Sequence, residues 1–302
     1  MYQTVEYLKL IDNKSTLATL AKKLNLTWLS TLELIGKINN IEAGLVKIQA
    51  DGKIVVTRKL DWLNEAVILQ QFHKLGVDNY GVKLLAEVTS TNSYILDNLS
   101  ILKNHTVVVA ELQSCGQGRG DKLWTSILAT DLTISFLYFF EPDFNYELLP
   151  LVIAIAINRL LKQYRTKNYI KWPNDIYLDN NTKISGILLQ SGIFKEKRFI
   201  IIGIGLDNIF NFDRNILVAN LVNHVEHIIG EYTIFGFALL RQEWIDNCLH
   251  YNKRVSLTLN GKIVDFGINT GLTSDGQLVI QSKNGQQNQY ENGNLSLLVE
   301  NV

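Results

Sequence analysis

A glycine-rich segment, Ser114–Trp124 (S-C-G-Q-G-R-G-D-K-L-W), has the residue types of a ligand-binding loop. Gly116, Gly118 and Gly120 alternate with polar residues, and Arg119 and Lys122 lie among them. Glycine adopts positive φ readily and lets a backbone approach a ligand closely. The two cations could neutralise a phosphate while backbone amides donate hydrogen bonds to it. The segment predicts an anion-binding loop, with a flexible surface turn as the alternative.

The spacing of this segment excludes two familiar phosphate-binding patterns. It does not fit the Walker A pattern, and Asp121 stands where G-x-G-x-x-G needs its third glycine. The loop follows an apolar run, Thr106–Leu112, which reads as a strand. Ligands often bind at the carboxyl ends of strands in open α/β sheets, so this position favours a binding role.

Three other short segments could take part in the same chemistry. Lys171–Asp175 (K-W-P-N-D) supplies a cation, an amide and a carboxylate, and contains one of the chain's three prolines. That proline fixes φ just before the Asn-Asp pair, and a rigidly held Asp175 could bind Mg²⁺ or a ribose hydroxyl. Lys183 begins an apolar strand. Its ammonium could take part in anion binding, or it could simply extend into water. Thr89–Asn92 holds more capping residues than one helix N-terminus needs, so the surplus could bind a polar ring.

The first 64 residues predict three helices and a hairpin. The helices are predicted over Val5–Ile11, Thr16–Leu24 and Trp28–Ile38, and Asp51-Gly52 is the turn of a hairpin over Leu45–Thr57. This order is typical of a winged helix-turn-helix, which we assign to residues 1–64.

The remainder predicts an α+β domain over residues 65–250 and a small β-barrel over residues 251–302, so the chain is an α+β multidomain protein. Short alternating strands separated by Asn-Gly, Thr-Gly and Asp-Gly turns indicate the barrel. The strands of the α+β domain are predicted over Val82–Val88, Thr106–Leu112, Asp131–Phe140, Lys183–Gln190 and Arg198–Leu206. Its helices are predicted over Asp61–Gly76, Ser93–Leu99, Leu149–Tyr164 and Ile234–His250.

Composition limits the classes of function. The formal net charge of the 302 residues is zero, so no global field attracts nucleic acid or membrane. Two cysteines outside any C-x-x-C pair argue against structural zinc and for a reducing compartment. The N-terminus does not read as a signal peptide, and the apolar run Leu148–Leu161 is interrupted before it reaches spanning length. We therefore expect a cytoplasmic protein without membrane contact.

Five motifs in order resemble the biotin protein ligases over roughly Lys83–Asp207: S-T-N, the glycine segment, K-W-P-N-D, K-I-S-G-I-L-L and the weaker G-I-G-L-D. With a winged helix before and a barrel behind, the chain resembles the bifunctional type, which biotinylates carrier proteins and represses the biotin operon. The resemblance implies a central mixed-sheet ligase domain similar to the class II synthetase core. It also implies an SH3-like C-terminal barrel.

The resemblance implies a two-step reaction that uses ATP and Mg²⁺, with biotin as substrate. Biotin's carboxylate attacks the α-phosphate of ATP to give biotinoyl-5′-AMP and pyrophosphate, and a carrier lysine then attacks the acyl carbon and expels AMP. Two anions meet in the first step, so catalysis should consist mainly of charge neutralisation and positioning. Lys183 and Arg119 match the catalytic cations, and the glycine loop is expected to close over the mixed anhydride and exclude water.

The same resemblance implies two sets of binding residues. The biotin set is Ser90, Thr91, Asn92, Gln113, Gln117, Gly118, Arg119, Lys183 and Gly186. The ATP and adenylate set is Arg119, Lys122, Trp124, Asn174, Asp175, Lys183 and Asp207, with Asp175 also as the metal ligand.

The chain departs from the family pattern at several positions. Outside the loop, Gln190 stands where glutamate is common, and Asp207 stands where asparagine is usual. In the loop, Gln117 replaces the first arginine, and a glycine comes one position early, at Gly120, and is followed by Asp121. The loop therefore has fewer cations, and we expect weaker retention of the adenylate.

The resemblance also implies partners. These are the biotin carboxyl carrier protein of acetyl-CoA carboxylase, operator DNA and a second copy of the chain when adenylate is bound. The third helix holds one cation and lacks the arginines that usually read guanine, so a ligase without repressor activity stays open. The residues assigned to DNA are Thr27, Trp28, Ser30, Thr31 and Lys37.

Two other functions remain possible from the sequence. A lipoate-protein ligase would share the fold and adenylation chemistry, although K-W-P-N-D and the alternating glycines count against it. A transcription factor that senses biotin through an inactive catalytic domain is disfavoured by the presence of Lys183 and Arg119.

Overall fold

The computed structural model describes residues 4–12, 15–120 and 122–298, and it is an α+β structure with a mixed central sheet and a small C-terminal antiparallel sheet. The helices are α1 Thr4–Lys9, α2 Leu17–Leu24, α3 Trp28–Ile41, α4 Glu65–Leu75, α5 Thr91–Asp97, α6 Leu149–Gln163, α7 Arg214–Phe235 and α8 Phe237–Asp246. The first eight strands are β1 Val46–Ile48, β2 Ile54–Val56, β3 Gly81–Leu85, β4 Thr106–Ala110, β5 Gly116–Gln117, β6 Leu123–Trp124, β7 Leu132–Phe140 and β8 Tyr169–Lys171. The others are β9 Asp175–Tyr177, β10 Lys183–Phe194, β11 Lys197–Leu206, β12 Arg254–Leu259, β13 Lys262–Leu272, β14 Leu278–Gln281, β15 Gln287–Tyr290 and β16 Asn294–Leu297.

The N-terminal elements form where local signals specify them. Thr16 caps α2 in a reciprocal capping box with Thr19, and Asn25 ends the helix in the left-handed conformation. Thr27 caps α3. Strands β1 and β2 pair antiparallel across the Asp51-Gly52 turn. The three helices and the hairpin share one apolar core, so these short elements stabilise each other.

Seven strands form the central sheet, in the order β3-β4-β7-β11-β10-β9-β8. All described pairs in this sheet are antiparallel except β3–β4. Side chains of β11 alternate between the two faces, so that Ile200 and Ile202 join the core formed with α6 and α7. Ile201 packs on the opposite face, with Ile95 of α5.

One predicted helix of this domain is shorter than expected. Within the range Ile234–His250, α8 covers Phe237–Asp246, whereas Ile234 and Phe235 end the preceding helix α7, which Gly236 separates from α8. Gly236 has a φ of 71°, which a glycine adopts without strain and which breaks the helical path.

The C-terminal residues form a five-stranded antiparallel sheet in the order β15-β14-β13-β12-β16. Asn260 and Gly261 both have positive φ at the β12–β13 turn, as the Asn-Gly pair predicted. None of the helices in the described part of the chain has the length and apolar character needed to cross a bilayer.

Two arginines connect the N-terminal elements to the central domain. Arg58 pairs with Glu42 at 2.6 Å and donates to the Leu128 carbonyl at 2.7 Å. Arg214 is fully buried, as is its partner Glu111 at 2.7 Å. The Arg214 guanidinium also donates to the Asp61 carbonyl. A buried charge is tolerated only when it is paired and hydrogen-bonded, and these bonds satisfy the terminal nitrogens of Arg214, whereas its buried Nε has no hydrogen-bond partner among the described residues.

Candidate active site

A cavity of about 860 Å³ lies on the face of the central sheet that carries α5. Three glycines of β10 and β11 form part of its wall: Gly186, Gly203 and Gly205. A Cβ on Gly203 would lie 2.4 Å from Asn92 Oδ1, and one on Gly205 would lie 2.1 Å from the Trp124 ring. The absence of side chains at these two positions lets Asn92 and Trp124 lie directly on the sheet.

The glycine segment forms a hairpin above this sheet, in which β5 pairs with β6. Of its three glycines, only Gly120 has positive φ, so the expected conformational role does not apply to Gly116 and Gly118. Those two allow close approach within the hairpin, because a Cβ on Gly116 would lie 2.4 Å from the Trp124 carbonyl oxygen. Asp121 lies outside the described residues, so the effect of that departure stays a prediction.

Arg119 extends from the hairpin to the K-W-P-N-D segment. Its guanidinium donates to Asn174 Oδ1 at 3.1 Å, and the Asn174 amide in turn donates to the Ile187 carbonyl. Asn174 is buried, so the hairpin and the strand are joined at a fixed point beside the cavity.

Lys183 and Asp175 form an ion pair of 2.7 Å within the cavity, and the Lys183 ammonium lies 5.7 Å from the centre of the Trp124 ring. Lys171 lines the same cavity, 4.7 Å from the ring of Tyr177. Burial lowers the pKa of Lys171; Asp175 opposes this, and Lys183 and Lys122 add to the lowering. At this end of the cavity, around Lys183, cations outnumber carboxylates, so this end is suited to bind an anionic group.

The other end of the cavity is polar and uncharged. Ser90, Thr91 and Asn92 are buried at the N-terminus of α5, where Ser90 is the capping residue. The backbone N–H of Thr91 and its hydroxyl both donate to Gln113 Oε1, at 2.8 and 3.0 Å. These hydroxyl and amide groups could hold a neutral polar ring.

The structure brings most of the predicted ligand residues together around this cavity. Those that line it are Ser90, Thr91, Asn92, Gln113, Gln117, Gly118, Arg119, Lys122, Trp124, Asn174, Asp175, Lys183 and Gly186. Asp207 is not among the described lining residues. Burial raises the pKa of its carboxyl to about 6, Asp131 adds to the rise, and Lys183 opposes it.

The residues assigned to DNA lie on the N-terminal elements. Thr27, Trp28 and Lys37 are exposed, and Ser30 is half-buried. Thr31 was wrongly included, because it is fully buried and its hydroxyl donates to the Thr27 carbonyl.

Sequence reasoning missed part of the cavity wall. Lys171 of K-W-P-N-D and Leu188 of the predicted strand Lys183–Gln190 line it together with the predicted ligand residues. The lining residues that were not predicted include Tyr177 and those of two C-terminal turns: Thr258, Leu259, Asn260, Gly261, Asn292, Gly293, Asn294 and Leu295. The C-terminal residues carry no signal beyond that of a hairpin turn, because only the tertiary packing brings them to the site.

The residues present could hold a magnesium ion only together with a ligand that supplies further oxygens. No group of three or more His, Cys, Asp or Glu side chains that could bind a metal occurs among residues 4–12, 15–120 and 122–298. Asp175 offers one carboxylate. This agrees with the usual coordination of Mg²⁺, which is often bound through one or two carboxylates plus substrate phosphates.

Comparisons with known proteins agree with this geometry. The model of the biotin/lipoate A/B protein ligase family matches residues 84–207, and that of the biotin protein ligase C-terminal domain matches residues 250–293. The bifunctional ligase/repressor BirA of Escherichia coli (strain K12) is 30% identical over 260 residues, which are 78% of this chain and 78% of that protein. The chain belongs to the biotin protein ligase family. It is therefore a ligase enzyme, as the motifs indicated.

Two further relatives show how far the likeness extends. The biotin–protein ligase of Homo sapiens is 32% identical over 154 residues, which are 47% of this chain and 21% of that protein. The solved structure of biotin protein ligase from Aquifex aeolicus in complex with biotin and ATP has a TM-score of 0.61 at 24% identity. It covers 72% of this chain and 98% of that one, and it confirms the ligase fold.

Proposed function

We propose that this enzyme makes biotinoyl-5′-AMP from biotin and ATP and transfers the biotinyl group to a lysine of the biotin carboxyl carrier protein of acetyl-CoA carboxylase. The observation that carries the proposal is one cavity with an uncharged hydrogen-bonding end at Thr91 and Asn92 and a cationic end at Lys183 and Arg119. Biotin has a neutral ring and an anionic carboxylate, and ATP adds further negative charge. The cavity matches this distribution.

In the first step, the carboxylate of biotin must approach the α-phosphate, and both are anions. We assign Lys183 to the space between them, where its ammonium neutralises the charge that concentrates as the new bond forms. Arg119, held by Asn174, neutralises the phosphate from the hairpin side. Lys122 and Lys171 add positive charge at a distance, and Trp124 offers a flat apolar surface to the adenine.

In the second step, the carrier amine attacks the acyl carbon and AMP leaves. The same two cations stabilise the departing phosphate. The hairpin that carries Gly116 and Gly118 limits the access of water to the mixed anhydride, which would otherwise hydrolyse. Asp175 would hold a magnesium ion that arrives with ATP, and the ion would neutralise phosphate charge there.

Pyrophosphate release tests the first step. We expect release that requires biotin and ATP together, with lipoate unable to replace biotin. Pyrophosphate release from ATP that does not depend on biotin would refute the ligase mechanism. A preference for lipoate over biotin would favour a lipoate-protein ligase.

A second function, biotin-responsive repression, has more limited support. The N-terminal elements have the order of a winged helix-turn-helix, and the E. coli relative is named a ligase/repressor. We assign Thr27, the capping residue of α3, and Trp28, Ser30 and Lys37 of α3 to DNA contacts, and we propose a homodimer when adenylate is bound. Retarded migration of operator DNA at low salt, only with biotin and ATP present, is the expected result. No retardation under those conditions would leave the ligase function alone.

The domain boundaries and the cellular location also remain proposals. We propose a winged helix over residues 1–64, the ligase domain over 65–250 and an SH3-like barrel over 251–302. A cytoplasmic location remains the prediction made from cysteine usage; Cys115 and Cys248 are both free.

A further inference from the structure

Ser135 lies beneath the uncharged end of the cavity and does not belong to its described lining. It is in β7, opposite Gly203 of β11, and it is fully buried. Its hydroxyl oxygen lies 2.6 Å from Thr91 Oγ1 and 2.6 Å from Asn92 Oδ1. One hydroxyl therefore contacts both side chains that we assign to the biotin ring.

Gln190 holds the other side of Asn92. The Asn92 Nδ2 group donates to Gln190 Oε1 at 2.9 Å, and Gln190 also does not belong to the described lining. Asn92 is thus held at its oxygen by β7 and at its nitrogen by β10. Because Gly203 leaves room for Asn92 above the sheet, the three strands fix the plane of this amide.

The proton count gives these bonds a direction. The Thr91 hydroxyl donates to Gln113, so it has no second proton for a ligand. Ser135 has one proton for two acceptors, Thr91 Oγ1 and Asn92 Oδ1. The two oxygens at the cavity wall therefore face a ligand as acceptors, which suits a ring that carries N–H donors.

We propose that Ser135 and Gln190 are positioning residues for biotin: they do not touch it, but they hold Thr91 and Asn92 in the orientation that receives its ring. This inference rests on the proposed function. A side chain that must be ordered by the ligand itself lowers affinity, because the ordering entropy is lost on binding. Removing either support should weaken biotin binding without affecting the nucleotide end of the cavity.

Four variants test the proposal by the Kd for biotin from calorimetry and by separate KM values for biotin and ATP. Ser135→Ala and Gln190→Met should each raise the Kd and KM for biotin about ten-fold, with the KM for ATP and kcat within about two-fold. Gln190→Glu keeps an acceptor for Asn92 and should stay within about two-fold of the wild type. Thr133→Val is the matched control, because it removes another buried hydroxyl of β7, one that donates to the Ala110 carbonyl and not to Thr91 or Asn92.

The outcomes separate this inference from the proposed function. Equal effects of Ser135→Ala and Thr133→Val, or biotin affinity in Gln190→Met equal to that of the wild type, would overturn the positioning role. Wild-type enzyme that does not bind biotin would instead refute the function itself. If Ser135→Ala fails to fold, the contrast between Gln190→Met and Gln190→Glu still decides, because Gln190 is only half-buried.

Discussion

Replacement of Lys183 by methionine separates the role of its charge in catalysis from its role in the fold. The ion pair with Asp175 is short, at 2.7 Å, but the two side chains are 37% and 25% exposed. Pairs this accessible to solvent contribute about 0–1 kcal/mol to stability. We therefore expect Lys183→Met to change the free energy of unfolding by no more than about 1 kcal/mol.

The effect on the first chemical step should be much larger. Two unit charges about 4 Å apart interact by about 4 kcal/mol at an effective dielectric constant of about 20. Arg119, Lys122 and Lys171 remain and offset part of the loss. If about 3 kcal/mol of transition-state stabilisation disappears, kcat falls by roughly 150-fold. Lys183→Arg keeps the charge but places a planar guanidinium there, so we expect a loss of about ten-fold.

Single-turnover pyrophosphate release measures this step, and urea unfolding of the same samples measures stability. A kcat for Lys183→Met within about five-fold of the wild type would refute the charge-neutralisation argument. A loss of more than about 3 kcal/mol in unfolding free energy would show instead that Lys183 supports the fold.

Three other substitutions test the arrangement around the site. Gly205→Ala places a Cβ 2.1 Å from Trp124, so the ring must move, and steady-state kinetics should show a KM for ATP raised at least about ten-fold in a folded enzyme. Glu111→Gln leaves the Arg214 charge buried without its partner and should cost about 3–5 kcal/mol in urea unfolding. Asp207→Asn should stabilise the protein, because a folded-state pKa raised to about 6 makes ionisation of this carboxyl unfavourable to folding. The gain should grow between about pH 4 and pH 6, stay constant above that, and reach roughly 1 kcal/mol after allowance for solvent screening.

Each of these substitutions has a matched control or a contrary outcome. Gly230→Ala, in α7 with open space around the new Cβ, should leave the KM for ATP unchanged. Glu42→Gln breaks a partly exposed pair with Arg58 and should cost no more than about 1 kcal/mol. A pH-independent effect of Asp207→Asn would contradict the raised pKa.

Local signals predicted the N-terminal elements well. Helices α2 and α3 begin within a residue of the predicted starts, where Thr16 and Thr27 cap them, and the Asp51-Gly52 turn joins paired strands. Each of these signals acts within a few residues along the chain, so the sequence alone contains them.

The long helix α7 was not predicted as an element of its own. Buried residues occur along most of its length, from Arg214 to Tyr232. A helix covered on most sides lacks the alternation of apolar and polar faces on which sequence reasoning depends.

At the site, sequence analysis identified the residues that belong to short, recognisable motifs. Arg119, Asn174 and Lys183 were found this way, and they line one cavity. Ser135 and the C-terminal turn at Asn292–Asn294 were not found, because their part in the site depends on strand pairing and domain packing. Gln190 was noted only as a departure from the family pattern. The sequence could not show that Gly203 and Gly205 matter for the side chains that lie on them.

We propose above all that this cavity joins biotin to a nucleotide and passes the acyl group to an amine. Incubation with biotin, ATP, Mg²⁺ and an apo biotin carboxyl carrier protein, followed by intact mass measurement of the carrier, tests it most directly. We expect a carrier heavier by one biotinyl group, with no addition when ATP is omitted and a much slower addition with Lys183→Met. An unmodified carrier, or one modified equally fast by Lys183→Met, would contradict it.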